Sequence, residues 1–308
     1  MKNVLFATTA LIATAGVAAA DVSFGGYGRF GAHYTSAGDV TSMTSRFRLN
    51  IDGSAESDNG LTFGARIRIQ DSATTAGVLN GANFYVKSGG LKVAVGNTPG
   101  AIDAQNGAYA QSLGLTGLGY HNVVANSAVK GFWGFDDYSS GGNGREVVSV
   151  SYAAGDFSVM ASYSSSSSRL PTPATPFALA TAFVPGENRA TVGASYTFSG
   201  WTVALAYQDS NNNFNDKTVL TVAGNVGIAD LNFAVADNNG TLKYGIGADF
   251  SVGAATTVSA FVNSEDTAGE AYGLGVKHDL GGGTSIRGGV VQTAGGTTLA
   301  DLGLHFNF

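Results

Sequence analysis

Over stretch after stretch of this 308-residue chain, apolar and hydrated side chains alternate with a period of two. Successive side chains of a strand point to opposite faces, so each stretch makes one greasy surface and one wet surface. The last residues show it best. Ala300, Leu302, Leu304, Phe306 and Phe308 share one parity, and Asp301, Gly303, His305 and Asn307 share the other. After Ala20 no run of 18 apolar residues occurs, which excludes membrane-spanning helices. Yet hydrophobic residues make up 44% of the chain, charged residues only 12%, and the mean hydropathy is +0.10. Lipid requires every backbone polar group to be paired internally, and apart from a helix only a closed barrel achieves this.

The same rhythm recurs from the start. Phe24, Phe30 and Tyr34 oppose Tyr27, Arg29 and His33; Phe47, Leu49 and Ile51 oppose Arg46, Arg48 and Asn50; Leu61, Phe63, Ala65, Ile67 and Ile69 oppose Thr62, Arg66, Arg68 and Gln70. Carried through, it predicts sixteen strands: 22–34, 45–54, 60–70, 83–88, 91–97, 145–153, 157–164, 189–198, 201–208, 217–224, 228–236, 240–251, 256–263, 269–280, 284–292 and 297–308. The alternation is weakest at 83–88, 217–224 and 256–263. Short turns such as Ser88-Gly89-Gly90, Ala154-Gly155-Asp156, Ser199-Gly200 and Gly281-Gly282-Gly283 take turns with longer, more polar links. A bacterial barrel has short periplasmic turns, longer outer loops and an even strand count. The expected fold is therefore all-β: a 16-stranded antiparallel transmembrane β-barrel in one domain, with both chain ends on the periplasmic side. Tyr34, Tyr152, Tyr163, Tyr196, Phe198, Trp201, Tyr207, Phe306 and Phe308 lie near strand ends on the apolar parity, where aromatic girdles sit.

The first twenty residues read differently. Met1 and Lys2 precede an apolar run from Val4 to Val17, and Ala18-Ala19-Ala20 follows. A positive start, a short apolar core and a small-residue end describe a secretory leader. The expected organisation is a signal peptide over 1–20 and a barrel over 21–308. Loss of Lys2 would take the formal net charge from −6 to −7. No basic patch suggests nucleic acid, and the absence of Cys rules out disulfides.

Two links are long. The one at 165–188 carries the Ser164–Ser168 run and Pro171, Pro173, Pro176 and Pro185, and reads as a surface loop. The one at 98–144 reads as a long inserted third loop that narrows the channel, with a second surface flap as the alternative, since structureless links of such length are usually functional or disordered.

Arginine placement is the sharpest chemical feature. Five of nine arginines, Arg29, Arg46, Arg48, Arg66 and Arg68, fall on the wet parity of the first three strands. If the turn between strands 2 and 3 centres near residue 57, Arg48 faces Arg66 and Arg46 faces Arg68. Like charges directly opposed destabilise a strand pair. The expected gain is a fixed positive wall beside the path of a solute. Acids to face it come from the long link: Asp103, Asp136 and Asp137. Opposed charges make a transverse field that selects by size and polarity.

Other motifs carry little. Gly26-Tyr27-Gly28-Arg29-Phe30-Gly31 matches G-x-G-x-x-G but lies in a strand, without the strand-turn-helix unit that phosphate binding needs. No G-x-S-x-G, H-E-x-x-H or P-loop occurs, and His33, His121, His278 and His305 lack metal-ligand spacing. No spacing announces a Ca²⁺ site among the loop carboxylates. The reading is of a non-enzyme with no cofactor and no metal.

The segments Val22 to Gly31, Ser45-Arg46-Phe47-Arg48 on to Ser54, Asp58 to Ala65, Val95-Gly96-Asn97-Thr98 with Asp103, Gly114 to Gly119 and Tyr152 to Phe157 resemble Rhodobacter-type general porins of the alphaproteobacteria. The terminal Phe308 fits the outer-membrane assembly signal of such proteins. The resemblance implies an outer-membrane homotrimer whose third loop folds into the barrel. It implies arginines on the wall, at Arg29, Arg46, Arg48, Arg66 and Arg68, and carboxylates on the loop, at Asp103, Asp136 and Asp137. The link departs from the family in having no carboxylate between Asp103 and Asp136. The expected function is passive, size-limited diffusion of small hydrophilic solutes and ions through a water-filled channel. Its rivals are a sugar- or anion-selective channel using Tyr27, Tyr85 and the arginines, a barrel hydrolase built on His33 or His305 with a nearby Ser, and a plugged structural or adhesive barrel.

Overall fold

The computed structural model of the chain describes residues 20–109, 111–118, 134–165, 186–212, 215–265 and 269–308. The expected leader lies outside them except for Ala20, as does most of the link at 165–188. The strands are β1 (Asp21–Thr35), β2 (Val40–Glu56), β3 (Thr62–Ser72), β4 (Thr75–Leu79), β5 (Asn83–Ser88), β6 (Leu91–Gly96), β7 (Val147–Ala154), β8 (Phe157–Ser165), β9 (Asn188–Phe198), β10 (Trp201–Ser210), β11 (Lys217–Val226), β12 (Ala229–Asn238), β13 (Thr241–Ser251), β14 (Thr256–Glu265), β15 (Gly269–Gly281), β16 (Thr284–Gln292) and β17 (Thr298–Asn307).

These seventeen segments fill sixteen positions, because β4 and β5 lie end to end along β3. Ile69 pairs with Leu79 in β4, and Arg66 pairs with Asn83 in β5. Every pairing is antiparallel, and β1 pairs with both β2 and β17, so the sheet closes into a 16-strand barrel. The short strand β4 escapes the sequence reading because Ala73 to Gly77 are small or polar on both parities.

Each strand turns its apolar parity outward. Leu205, Tyr207, Val192 and Tyr196 are about half exposed on the outer surface, while Ala206, Gln208 and Thr191 between them are buried. At the seam Gly26 N–H donates to Phe308 O (2.9 Å), and Phe308 N–H donates back to Gly26 O (3.1 Å). Gly28 pairs with Phe306, whose ring lies where a Cβ on Gly28 would sit. The Phe308 ring stacks on Phe47 at 5.4 Å.

The β2–β3 turn corrects one expectation. Ser57 N–H donates to Leu61 O (2.8 Å), Gly60 N–H donates to Ser57 O (2.9 Å), and Gly60 takes a φ of 76°, which a side chain would resist. This turn centres the hairpin on residue 59. Arg46 therefore pairs with Ser72, Arg48 with Gln70, Asn50 with Arg68 and Asp52 with Arg66. The expected Arg48–Arg66 and Arg46–Arg68 oppositions do not form. The offset is an even number of residues, so the faces stay correct while the partners change. The one directly opposed arginine pair in these strands is Arg29 with Arg46, across β1 and β2.

A charge on the outer face should cost far more than one inside. We expect Leu205→Arg to destabilise the protein by about 2–4 kcal/mol and the inward Ser151→Arg by about 0.5 kcal/mol or less, read from urea unfolding in lipid vesicles.

Candidate functional site

The link after β6 runs along the inside of the barrel. Ala101 sits against Gly193 of β9. Ile102 packs with Ala206, Val219, Ala234 and Ala236 of β10, β11 and β12, and with Phe135 of the link itself. The Gln105 side-chain amide donates to Ala204 O (2.8 Å), Val219 O (3.1 Å) and Thr221 Oγ1 (3.2 Å). Asn232 Nδ2 donates to Tyr109 O (2.7 Å). Leu113 joins Phe261, Ala271 and Val291 of β14, β15 and β16. Of the two readings of this link, insertion into the channel is the one the described residues follow.

Small residues on the wet parity make this possible. Cβ atoms on Gly273 and Gly303 would come within 2.7 Å of Leu113 and 2.5 Å of Leu115. The inner wall of β9 to β17 is thus a shallow track, rich in Gly and Ala, against which the loop packs. At the far end a tight turn bridges Leu113 to Leu118 and is clamped by Asp301. That carboxylate accepts from Leu115 N–H (2.8 Å), Thr116 N–H (2.6 Å) and Thr116 Oγ1–H (2.6 Å). Arg29 closes the clamp from β1, donating from Nη1 to Leu115 O (2.8 Å).

The return limb is tied elsewhere. Asn97 Nδ2 donates to Ser139 O (2.8 Å) and its Oδ1 accepts from Ser139 N–H (2.8 Å). Asn80 Nδ2 donates to the Tyr138 hydroxyl (2.7 Å), and Arg68 Nη1 donates to Ser140 Oγ (2.9 Å). Between Arg68 at one end and Arg29 at the other, the β2 face carrying Arg46 and Arg48 takes no hydrogen bond from the loop among the described residues.

The five arginines differ in what holds them. Arg66 pairs with Asp52 (2.6 Å) on an exposed stretch, where an ion pair contributes little. Arg48 donates from Nε to Gln70 Oε1 (2.9 Å) and lies 5.0 Å over the Tyr27 ring. Arg68 donates from Nε to Asn50 Oδ1 (2.8 Å) and lies 5.0 Å over Tyr138. Arg46 reaches only the Tyr27 hydroxyl, at 3.5 Å. Among the described residues, Arg66 alone of the five has a carboxylate at ion-pair distance.

The three expected acids separate. Asp103 is half-buried; it accepts from the Tyr109 hydroxyl and from Tyr138 N–H (2.9 Å) and so ties the two limbs together. Burial pushes its carboxyl up. Asp136 is 1% exposed and does not face the lumen. Its Oδ1 lies 3.2 Å from Arg145 and 3.5 Å from Arg189, and accepts from Ser164 Oγ (2.7 Å). Glu187 takes a bidentate grip from Arg189 at 2.9 Å twice. Burial works to raise the Glu187 carboxyl, but its bonds from Arg189, Asn215 and Ser210 outweigh it and hold the group below its ordinary value. Asp136 thus anchors the return limb to the base of β9. Sequence reasoning missed this anchor because Arg145, Glu187 and Arg189 stand outside any motif; the one signal was Arg189 on the wet parity.

Asp137 alone of the three is exposed. Enclosure by the surrounding wall pushes its carboxyl up to about 6, and the nearby Asp103 carboxylate adds to the effect. Among the described residues, no group of three or more His, Asp or Glu comes together as a metal site.

The sequence profile of the Gram-negative porin family matches residues 7–298. The chain is 30% identical to the porin of Fuscovulum blasticum over 305 residues, spanning 94% of this chain and all of that one. It is 29% identical to the porin of Rhodobacter capsulatus over 322 residues, with the same coverage. Solved variants of the Rh. blastica porin superpose with a TM-score of 0.76 at 26% identity and 0.77 at 25%, each over 94% of this chain and the whole of that one.

Two outcomes follow from the loop's charges. Asp136→Ala leaves two buried guanidiniums with Glu187 as their one remaining carboxylate, a buried excess of positive charge that should cost about 3–5 kcal/mol, seen as a lower urea midpoint and faster proteolysis within 98–144. Protonation of Asp137 removes a negative charge from the bore. Selectivity should therefore move toward anions as pH falls through about 6, in a reversal-potential titration, and Asp137→Asn should abolish the shift.

Proposed function

The chain belongs to the Gram-negative porin family, and on that footing we propose how its own residues set the passage. The protein is an outer-membrane general diffusion porin, and small solutes and ions pass through it. The family is one of channels rather than enzymes.

We infer that the constriction lies between the arginine wall and the inserted loop. Arg29, Arg46, Arg48, Arg66 and Arg68 form its basic side. Asp137, with Asp103 behind it, forms the acidic side. The observation that supports this reading is the loop's course: among the described residues it lies against the Gly- and Ala-rich inner wall of β9 to β17 and makes no hydrogen bond to β2. A hydrophilic solute in the gap keeps hydrogen-bonding partners on both sides. An apolar one would have to displace water ordered between fixed charges, at a cost it cannot recover. Asp136 serves the constriction indirectly by holding the loop.

Two further features belong to the same proposal. Cleavage after Ala20 would free Asp21, the residue at which β1 begins. Three copies would pack through the outer face of β1 to β3. Outward tyrosines stand on β7 to β15, at Tyr152, Tyr163, Tyr196, Tyr207, Tyr244 and Tyr272, each about half exposed. The outer face of β1 to β3 instead shows Phe24, Phe30, Met43, Phe47 and Phe63, with Tyr34 as its one tyrosine. A tyrosine belt suits the lipid interface, and an apolar face without one suits a protein neighbour.

The refolded 21–308 chain added to a planar bilayer should give stepwise conductance, with steps grouped in threes. Insertion without steps would rule out the channel. Steps arriving singly would rule out the trimer and leave the channel intact.

A further inference from the structure

Outward residues of the last strands line up in rungs, because directly paired residues share a face. Ala248 of β13 pairs with Ala260 of β14, which pairs in turn with Leu274 of β15. The rung above is Ile246, Val262 and Tyr272, and Phe250 stands one outward position below Ala248. These five neighbours are large and exposed on the outer surface. Two alanines set among them leave the outer wall dented. The dent is a furrow of about 660 Å³ that reaches from Phe250 to Val290 and Thr298. That volume lies in the range of small-ligand pockets, roughly 300–1,000 Å³.

The barrel holds this face in hydrocarbon, so water does not fill the furrow. A void there forfeits the dispersion contacts of the atoms that line it. Lipid tails are as apolar as leucine, so burial by itself favours no occupant; shape and the polar groups at the ends decide. Tyr244 and Tyr272 belong to the outward tyrosine belt, which sets this arc against lipid and apart from the face of β1 to β3. The furrow is apolar along the alanines and polar at the end opposite the chain termini. There the Thr298 hydroxyl donates to Gln292 Oε1 (2.8 Å), and Gln292 pairs with Tyr272. One rung higher stand Tyr244, Ser264 and Glu270. Glu270 is exposed, and none of the ion pairs among the described residues includes it. The lysines and the arginine of these strands, Lys243, Lys277 and Arg287, stand on the inward parity.

We propose that this furrow binds one acyl chain of a membrane lipid whose head group carries an ammonium. The chain lies along Ala248 and Ala260, and the head meets Glu270. Glu270 is four residues along β15 from Leu274, roughly 13 Å at strand spacing, which sets the carboxylate at head-group height above a chain seated on the alanines. An ammonium donates charge-assisted bonds to that carboxylate, and the ester carbonyls of a lipid accept from the Gln292 amide. A phosphate head without an ammonium meets the like charge of Glu270 instead. The site lies on the outer wall and takes no part in the bore.

The test uses the refolded 21–308 chain in detergent micelles doped with equal amounts of phosphatidylethanolamine and phosphatidylglycerol of the same chain length. Lipid retained after detergent exchange is counted by native mass spectrometry. The wild type should keep phosphatidylethanolamine over phosphatidylglycerol by about tenfold, the factor expected for a charge-assisted bond. Glu270→Gln should bring that ratio to one. Ala260→Phe, which fills the furrow, should remove retention of both lipids, while Ala194→Phe, at an outward alanine of β9, should retain them as the wild type does. A wild type that keeps neither lipid, or both equally, overturns the inference, as does an Ala260→Phe chain that retains as much as Ala194→Phe. If Ala260→Phe does not fold, the wild-type ratio and Glu270→Gln decide. Each folded variant should conduct in planar bilayers as the wild type does, so a failed lipid result leaves the porin reading standing.

Discussion

Hydrocarbon offers no partner to an amide. Each unpaired N–H or C=O in lipid costs several kcal/mol, and a chain without long apolar helices meets that demand only by closing a sheet on itself. The rest of the structure follows from closure. β1 must meet β17, so Phe308 ends beside Gly26 and the terminal aromatics cover the seam. Alternation must hold through every strand, which divides the side chains between lipid and lumen. The lumen then becomes the place where polar and charged groups can be held without reaching hydrocarbon.

Closure also creates the space that the inserted loop occupies. A sixteen-strand cylinder is too wide for wall side chains to fill. The loop after β6 takes part of that width by lying on a track of glycine and alanine. Three polar devices fasten it: the Asp301 clamp at its turn, the Asn80 and Asn97 amides on the return limb, and the Asp136–Arg145–Arg189–Glu187 cluster at its base. A loop held at so many points behaves as part of the wall. On β1 to β3, among the described residues, four of the five arginines lack a carboxylate partner.

Sixteen strand positions and the lipid-facing parity were legible in the sequence because a two-residue period survives any even slip of register. The same property hid the partners. Nothing in the alternation says whether the β2–β3 hairpin turns at 57 or 59, and Gly60 with Ser57 and Leu61 decided for 59. Arg48 thereby gained Gln70, and Arg66 gained Asp52. β4 was invisible because it is five residues long and does not alternate: Thr75, Ala76 and Gly77 are small, and the neighbours Val78 and Leu79 put an apolar group on each face. The acids of the loop were visible as residues, but their directions were not. Asp136 and Asp137 are neighbours in sequence, and one is buried among guanidiniums while the other is exposed.

Sequence alone thus determined what kind of molecule this is, since the period of two, the scarcity of charge and the alternating link lengths are local properties of the chain. It also placed the five arginines on the wet face, because parity is local too. Only the tertiary structure decided which side chains meet. The path of the 98–144 link depends on small and apolar residues contributed by strands far apart in the chain, and the Arg29–Arg46 opposition depends on the register between β1 and β2. Contacts of that kind join residues tens to hundreds of positions apart, so no window of sequence contains them.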